Sequence, residues 1–278
     1  MPNRSQGWTS AKKSGHRFEY SVADQLSDSS SPLVKSLYKT YGSIQVNKIS
    51  EVRVPYGPVE TVFGDRTEGK PDLVFVLPDG QRFPLSIKKS GLQPNGQAHL
   101  STLDRFVRAW GLISGEELSP NVVEFFRLFI GEQDVLSLSA LAPGVKPTTR
   151  KHRRTGESLD VYQVRLSPET IKEYRPEVFR DFVEWARRDA VLLADLFLFR
   201  GYASHVVDFA SGIWFGRENR LVLREELLRA VDANRDVHIG SRGGTIQLAW
   251  GFLQFHAPRG RRQLQAHWQS AKILDLIR

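Results

Sequence analysis

The sequence predicts a mixed α/β or α+β fold. Three observations carry this. Apolar residues recur at helical spacing near the start, a β-branched alternating stretch and a hairpin follow, and amphipathic segments fill much of the remainder. The first element is "GHRFEYSVADQL", where Phe18, Val22 and Leu26 fall on one helical face. "SDSSSP" interrupts it, and "LVKSLYKTYG" reads as a further short helix. "SIQVNKISEVRV" alternates and is rich in β-branched residues, so it reads as a strand. Two more strands lie in "EGKPDLVFVLPDGQRFPLSIKKSG", joined at Pro78-Asp79-Gly80, whose residue types favour a tight turn.

Further along, "LSTLDRFVRAWGLI" and "SPNVVEFFRLFIG" are helical, the second opening on a Ser-Pro start signal. Residues 143–158, "PGVKPTTRKHRRTGES", are basic and almost free of apolar side chains, which predicts a loop. A helix, a break at Pro176 and a long amphipathic helix ending at Gly201 come next. The first half of "ENRLVLREELLRAVDAN" fits strand or helix. "TIQLAWGFLQFHAPRGRRQLQAHWQSAKILDLIR" reads as a β-hairpin and then a strand or helix.

Composition narrows the function classes. With 278 residues, 40% hydrophobic and 25% charged, the chain has an ordinary globular balance and enough apolar material for a core. It contains no cysteine, which excludes disulfides, thiolate zinc sites and cysteine nucleophiles. Residues 1–15 read as a flexible basic arm without the apolar run of a signal peptide. No apolar run approaches a membrane span, so the expectation is a cytoplasmic protein without a membrane partner. Net charge is +8, which favours a polyanionic partner.

The chemistry-bearing residues cluster at the open end of the hairpin. Asp72 begins its first strand, and Ser86 and Lys88 finish its second. Alternation puts Asp72, Val74 and Val76 on one face and Leu73, Phe75 and Leu77 on the other. Ser86 and Lys88 likewise share a face, and Ile87 points away from it. A carboxylate beside a lysine is a minimal set for hydrolysing a phosphodiester. The acid holds a hard cation such as Mg²⁺, and the lysine orients water or offsets developing negative charge. The plain alternative is a surface hairpin with an exposed acid and lysine.

"KPDLVFVLPDGQRFPLSIKKSG" resembles the core of the PD-(D/E)XK nucleases, in the style of type II restriction endonucleases. Pro71-Asp72 matches the first half of the motif, and Ser86-Ile87-Lys88 occupies the second. "KKSGHRFEYSVADQL" resembles the helix that precedes the sheet in that superfamily, with Gly15 and then Glu19. The likeness spans roughly residues 11–100.

The resemblance implies a central mixed β-sheet flanked by helices within a single nuclease domain over 1–278. In that domain, 11–110 would carry the catalytic motifs, 143–158 a basic loop, and 159–278 an elaboration for DNA recognition or dimerisation. It implies metal binding by Glu19, Asp72 and the Ile87 carbonyl, with Mg²⁺ as cofactor and Mn²⁺ as substitute. Lys88 would act on the attacking water. Ser86 stands where the motif has an acid, and a hydroxyl is a poorer cation ligand. Ser86 would then hydrogen-bond to Glu19 or to a metal-bound water. Glu19 is the candidate replacement acid, with Glu68, Glu60 and Glu51 behind it. The implied activity is sequence-specific cleavage of double-stranded DNA by a homodimer. A cognate DNA methyltransferase would act on the same site. A structure-selective repair nuclease and a degenerate DNA-binding protein are the alternatives.

Several polar groups are candidates for DNA contact. Lys89 and Ser90 would touch the phosphate beside the cut. Gln93, Asn95, Gln97 and His99 would reach base edges from a loop. Arg150, Lys151, Arg153 and Arg154 form a basic run, and Arg259, Arg261 and Arg262 sit at a probable hairpin tip. Either cluster suits phosphate neutralisation or base contact. "GSRGGT", Gly240 to Thr245, has no P-loop lysine and reads as a plain turn before a backbone cradle for phosphate.

Overall fold

The computed structural model describes residues 18–41, 49–77, 79–88, 96–99, 102–131, 150–151, 158–159, 166–256 and 263–278. The basic arm with Gly15, most of the 143–158 segment, and the candidates Lys89, Ser90, Gln93, Asn95, Arg153, Arg154, Arg259, Arg261 and Arg262 lie outside them. The fold is mixed α/β, with a central mixed sheet flanked by helices. The chain divides into two compact units, the first made of 1–96, 191–233 and 269–278, the second of 97–190 and 234–268.

The first unit opens with helix α1 over 18–25 and α2, Pro32–Tyr41. Ser31 starts α2, its hydroxyl accepting the Val34 N–H at 3.2 Å. The sheet runs β1-β4-β5-β9-β10, with β1 Ser50–Arg53, β4 Leu73–Val76, β5 Arg82–Lys88, β9 Gly212–Phe215 and β10 Arg220–Leu223. The predicted hairpin is the antiparallel pair β4/β5, in register Leu73 to Leu85 and Val76 to Arg82. Its turn closes with the Leu77 N–H on Gln81 O, and Gly80 sits at φ +84°, where a side chain would strain the backbone. β5 pairs with β9 in parallel, so the chain passes through residues 97–190 of the second unit before it returns to this sheet.

The predicted alternation holds. Leu73, Phe75, Leu77, Phe83, Leu85 and Ile87 pack with Val22, Leu26, Leu33 and Leu37 of the first two helices. Val74 belongs to the opposite face, against Tyr56, Val59, Ala203 and Phe209. β2, Pro58–Glu60, and β3, Arg66–Glu68, form a separate antiparallel pair. Glu68 therefore ends a strand of its own and does not extend the hairpin.

The second unit contains α3, Leu103–Ser114, α4, Pro120–Ile130, α5, Pro168–Tyr174, and α6, Pro176–Arg188. Serine or threonine caps three of them at the N-terminus, at Thr102, Ser119 and Ser167. An aromatic cluster binds them together. The Phe125 and Phe182 rings stack with centroids 3.7 Å apart, and Trp110 meets Trp185 edge-on at 4.9 Å. The expected long helix to Gly201 is broken at Asp189. α7, Ala190–Asp195, follows, and a wider π-turn over Leu196–Arg200 carries the chain to Gly201.

The second sheet runs β11-β12-β13-β14-β6, with β6 Gly96–His99, β11 Val237–Ile239, β12 Ile246–Leu248, β13 Gly251–His256 and β14 Gln263–Trp268. Gln97 and His99 thus lie in a strand, where a loop was expected. The glycine, alanine and alternating polar residues of "GQAH" suit a sheet edge beside β14. Arg150 and Lys151 also leave the expected loop. They form β7, paired with β8, Ser158–Leu159, because the backbone of a short hairpin satisfies itself whatever its side chains are. The ambiguous 218–234 segment is both things in turn. β10 comes first, then helix α8, Arg224–Ala233, and the chain ends in α9, Ser270–Leu276. No helix among the described residues is long and apolar enough to cross a membrane.

Candidate active site

The site lies in the first unit, where β4 begins and β5 ends. β5 extends beyond β4 there, since the first residue of β4 pairs with Leu85 and three residues of β5 follow. The ladder departs from its register at Leu85, the partner of Leu73, whose carbonyl accepts the Asp72 N–H at 2.8 Å. In an antiparallel pair, a residue that turns its N–H toward the neighbour turns its C=O the same way. Ile87, two residues past Leu85, repeats that orientation but has no residue of β4 opposite it. Its N–H finds the Asp72 carboxylate instead, donating to Oδ2 at 2.5 Å. By the same alternation its carbonyl turns toward the β4 side.

Two more groups converge on Asp72 Oδ2. Ser86 Oγ donates to it at 3.2 Å, and Lys88 Nζ approaches to 3.4 Å. Ser86 is buried, and the Asp72 and Lys88 side chains keep 26% and 21% of their surface in solvent. The pair is therefore reachable from outside yet partly desolvated, which strengthens its electrostatics relative to an exposed ion pair. None of these bonds uses Asp72 Oδ1. Glu19 or a metal-bound water is the expected partner of Ser86; the hydroxyl donates to Asp72 here.

Glu19 is half-buried on α1. Its neighbour Phe18 packs so closely on Gly216 that a Cβ at that glycine would collide with the ring. The Gly216 N–H donates to the Lys88 carbonyl at 3.0 Å. The start of α1 therefore stands at the strand end that carries Lys88. Among the described residues, no group of three or more histidine, aspartate or glutamate side chains is arranged to hold a metal ion. A cation here would rest on Asp72 Oδ1, the Ile87 carbonyl and water, with Glu19 as the further carboxylate. That set suits Mg²⁺, which keeps several waters and needs only one or two carboxylates.

Lys70 is a second cation that the sequence reading passed over. Its stem lies along Gly201, where an added Cβ would stand 3.1 Å from Lys70 Cε. Burial, then the Lys88 ammonium, pulls the Lys70 ammonium down to about 8, against the opposing pull of Asp72. A signal was available, because Lys70 stands only two residues before Asp72 in the sequence. Tyr56 borders the site too. Its N–H donates to the Asp72 carbonyl at 3.1 Å, and its hydroxyl donates to Asp208 Oδ1 at 2.7 Å. Burial and that carboxylate push the Tyr56 hydroxyl up to about 12.

Gln97, Arg150 and Lys151 fall in strands distinct from β4 and β5. No family model, curated protein or solved structure matches this chain.

Proposed function

We propose that this chain is a Mg²⁺-dependent DNA endonuclease, working in the manner of type II restriction enzymes on double-stranded DNA. The observation that carries the reading is the convergence of the Ile87 N–H, the Ser86 hydroxyl and the Lys88 ammonium on one oxygen of Asp72, at a strand end with its ladder unfinished. Three donors fix the carboxylate and leave Oδ1 and the Ile87 carbonyl at the same edge. Pre-oriented oxygens of this kind are what a hard cation needs, and fixing them beforehand lowers the cost of binding it. The bound cation would supply Lewis-acid stabilisation and a lowered water pKa.

The chain's own residues do the remainder. Lys88 holds a positive charge within reach of the carboxylate and is available to a phosphate oxygen once Asp72 is otherwise engaged. Ser86 keeps Asp72 in its rotamer, a role for which charge is unnecessary, so the missing motif acid does not empty the site. Glu19 supplies the second carboxylate from α1. The net charge of +8 favours a polyanionic substrate. A homodimer acting on a palindromic site, and a companion methyltransferase, belong to the same proposal.

A second reading has its own support. Asp72 Oδ2 is already satisfied by protein donors, as it would be in a DNA-binding protein that has lost catalysis. Plasmid and oligonucleotide cleavage with Mg²⁺ and with EDTA separates the two. Discrete Mg²⁺-dependent bands support a restriction-type enzyme, and cutting confined to junctions or flaps indicates a repair nuclease. A gel shift without cutting leaves the binding protein.

A further inference from the structure

The second unit carries a cavity of about 390 Å³ at the Gly240–Thr245 turn. Its lining comprises Ser241, Arg242, Thr245, Gln247 and Gln254, with the turn's glycines. The turn is tight, as the Gly240 N–H bonds to Thr245 O at 2.9 Å and the Gly243 N–H to Gly240 O at 2.7 Å. Gly243 sits at φ +66°, with Glu169 of α5 so near that a Cβ would collide with its carboxylate. This places Arg242 at an exposed apex over the cavity.

The cavity wall is unusually well ordered for a polar one. Gln254 on β13 stands opposite Gln265 on β14. Its Nε2 donates to Gln265 Oε1 at 2.9 Å and to His267 Nε2. An amide nitrogen has two hydrogens, so both are committed, and the ring nitrogen of His267 must be the acceptor. Gln265 and His267 are 1% and 5% exposed, which anchors the network in the sheet. The Gln254 amide is thereby held by its nitrogen, and Oε1 is the atom left for a ligand. Gln247 is held similarly, with Nε2 donating to Thr245 Oγ1 at 3.1 Å.

The cavity lining thus includes both a guanidinium fork, on Arg242, and an amide carbonyl, on Gln254. Its complement is a planar group with two adjacent acceptors next to an N–H donor. Guanine has that pattern, with N7 and O6 facing an arginine fork and N1–H or N2–H facing the carbonyl. In a G·C pair the cytosine N4–H provides the donor instead. Adenine has its amino donor between N7 and N1 and no two neighbouring acceptors, so it cannot engage the fork bidentately. The volume falls in the range of small-ligand pockets.

We propose that the cavity at the Gly240–Thr245 turn binds a guanine base, with Arg242 donating to N7 and O6 and Gln254 Oε1 accepting from the neighbouring N–H. This deepens the DNA-cleaving reading by naming what the second unit recognises, and it rests on that reading only for where the guanine comes from. The test uses the full chain in EDTA, so cleavage plays no part in it. Calorimetry compares 5′-GMP with 5′-AMP, and fluorescence anisotropy compares duplexes of equal length with and without G·C pairs. The expected result is a preference of about tenfold or more for guanine in at least one comparison. Preference for GMP alone identifies a free nucleotide as the ligand, and preference for the G·C duplex identifies base-edge reading in DNA. Arg242→Lys, on an exposed turn, keeps the charge and removes the fork, so the preference should fall to within about twofold of none. Equal binding of both members of each pair, no binding of any probe, or a preference unchanged in Arg242→Lys overturns the proposal. A failed cleavage assay would leave it standing.

Discussion

The two sheets handle polar groups in opposite ways. In the first unit, the polar groups sit where a strand outruns its partner. The Asp72 carboxylate accepts the Ile87 N–H, which no residue of β4 faces. In the second unit, the polar groups occupy a sheet face, and Gln254 hydrogen-bonds to both Gln265 and His267 across β13 and β14. An unfinished ladder leaves backbone groups for a cation or a reacting phosphate. A closed amide network leaves a single oriented acceptor, which suits recognition better than chemistry.

The largest expected effect tests the first half of that contrast. Asp72→Asn and Lys88→Ala should each lower Mg²⁺-dependent cleavage on the order of a hundred- to thousand-fold while a gel shift in EDTA is retained. Wild-type rates in either variant would remove the strand end from the chemistry. Glu19→Gln is separate, since full activity there would transfer the second-carboxylate role to another acid.

Stability offers the next contrast. The first unit contains a buried ion pair, with Arg224 Nε and Nη2 donating to the Asp195 carboxylate at 2.6 and 2.8 Å and Asp195 only 5% exposed. Asp195→Ala leaves a half-buried guanidinium unpaired and should cost about 3–5 kcal/mol. In the second unit, Phe182→Ala opens a hole beside Phe125 and should cost about the same by cavity formation. Urea titration followed by tryptophan fluorescence and by circular dichroism checks both. If the two units unfold independently, each variant shifts a different transition.

A smaller effect concerns Lys70. Its folded pKa, about 8, lies below the ordinary lysine value of 10.5. Between those values the unfolded chain binds the extra proton, so stability climbs as pH rises through that window. Below pH 8 the lysine is charged in both states and the burial penalty is present in full. Lys70→Met removes it, so in EDTA the variant should melt higher than wild type at pH 7. The gap should narrow from pH 8 upward and close by about 10.5. A gap constant across that range would mean that packing on Gly201 and not charge governs the residue. The smallest effect is Ser167→Ala, which deletes the α5 cap on the Thr170 N–H at 3.1 Å and should cost about 1 kcal/mol.

Legibility followed the range of the interactions. The hairpin, its turn and its two faces could be read directly, because alternation and turn chemistry are local properties of "DLVFVLPDGQRFPLSIK". Asp72, Ser86 and Lys88 could be read as neighbours for the same reason. β9 was invisible. "GIWF" is short, fully buried and shows no alternation, and its partner β5 is more than a hundred residues away. Lys70 could have been found from its two-residue offset to Asp72. The cavity could not, because the "GSRGGT" turn acquires a wall only when β12 and β13 bring Gln247 and Gln254 beside it.

The sequence by itself determined the mixed α/β class, the β4/β5 hairpin and the polar end that gathers around Asp72. Each is set by side-chain periodicity or turn geometry within about twenty residues. Only the tertiary structure decided that the hairpin lies inside a five-stranded sheet closed by β9, and that Lys70 is held against Gly201. It also decided that Gln254 presents its oxygen while its nitrogen is bound. Those outcomes depend on burial and on pairing between distant strands, and neither leaves a local trace in the order of the residues.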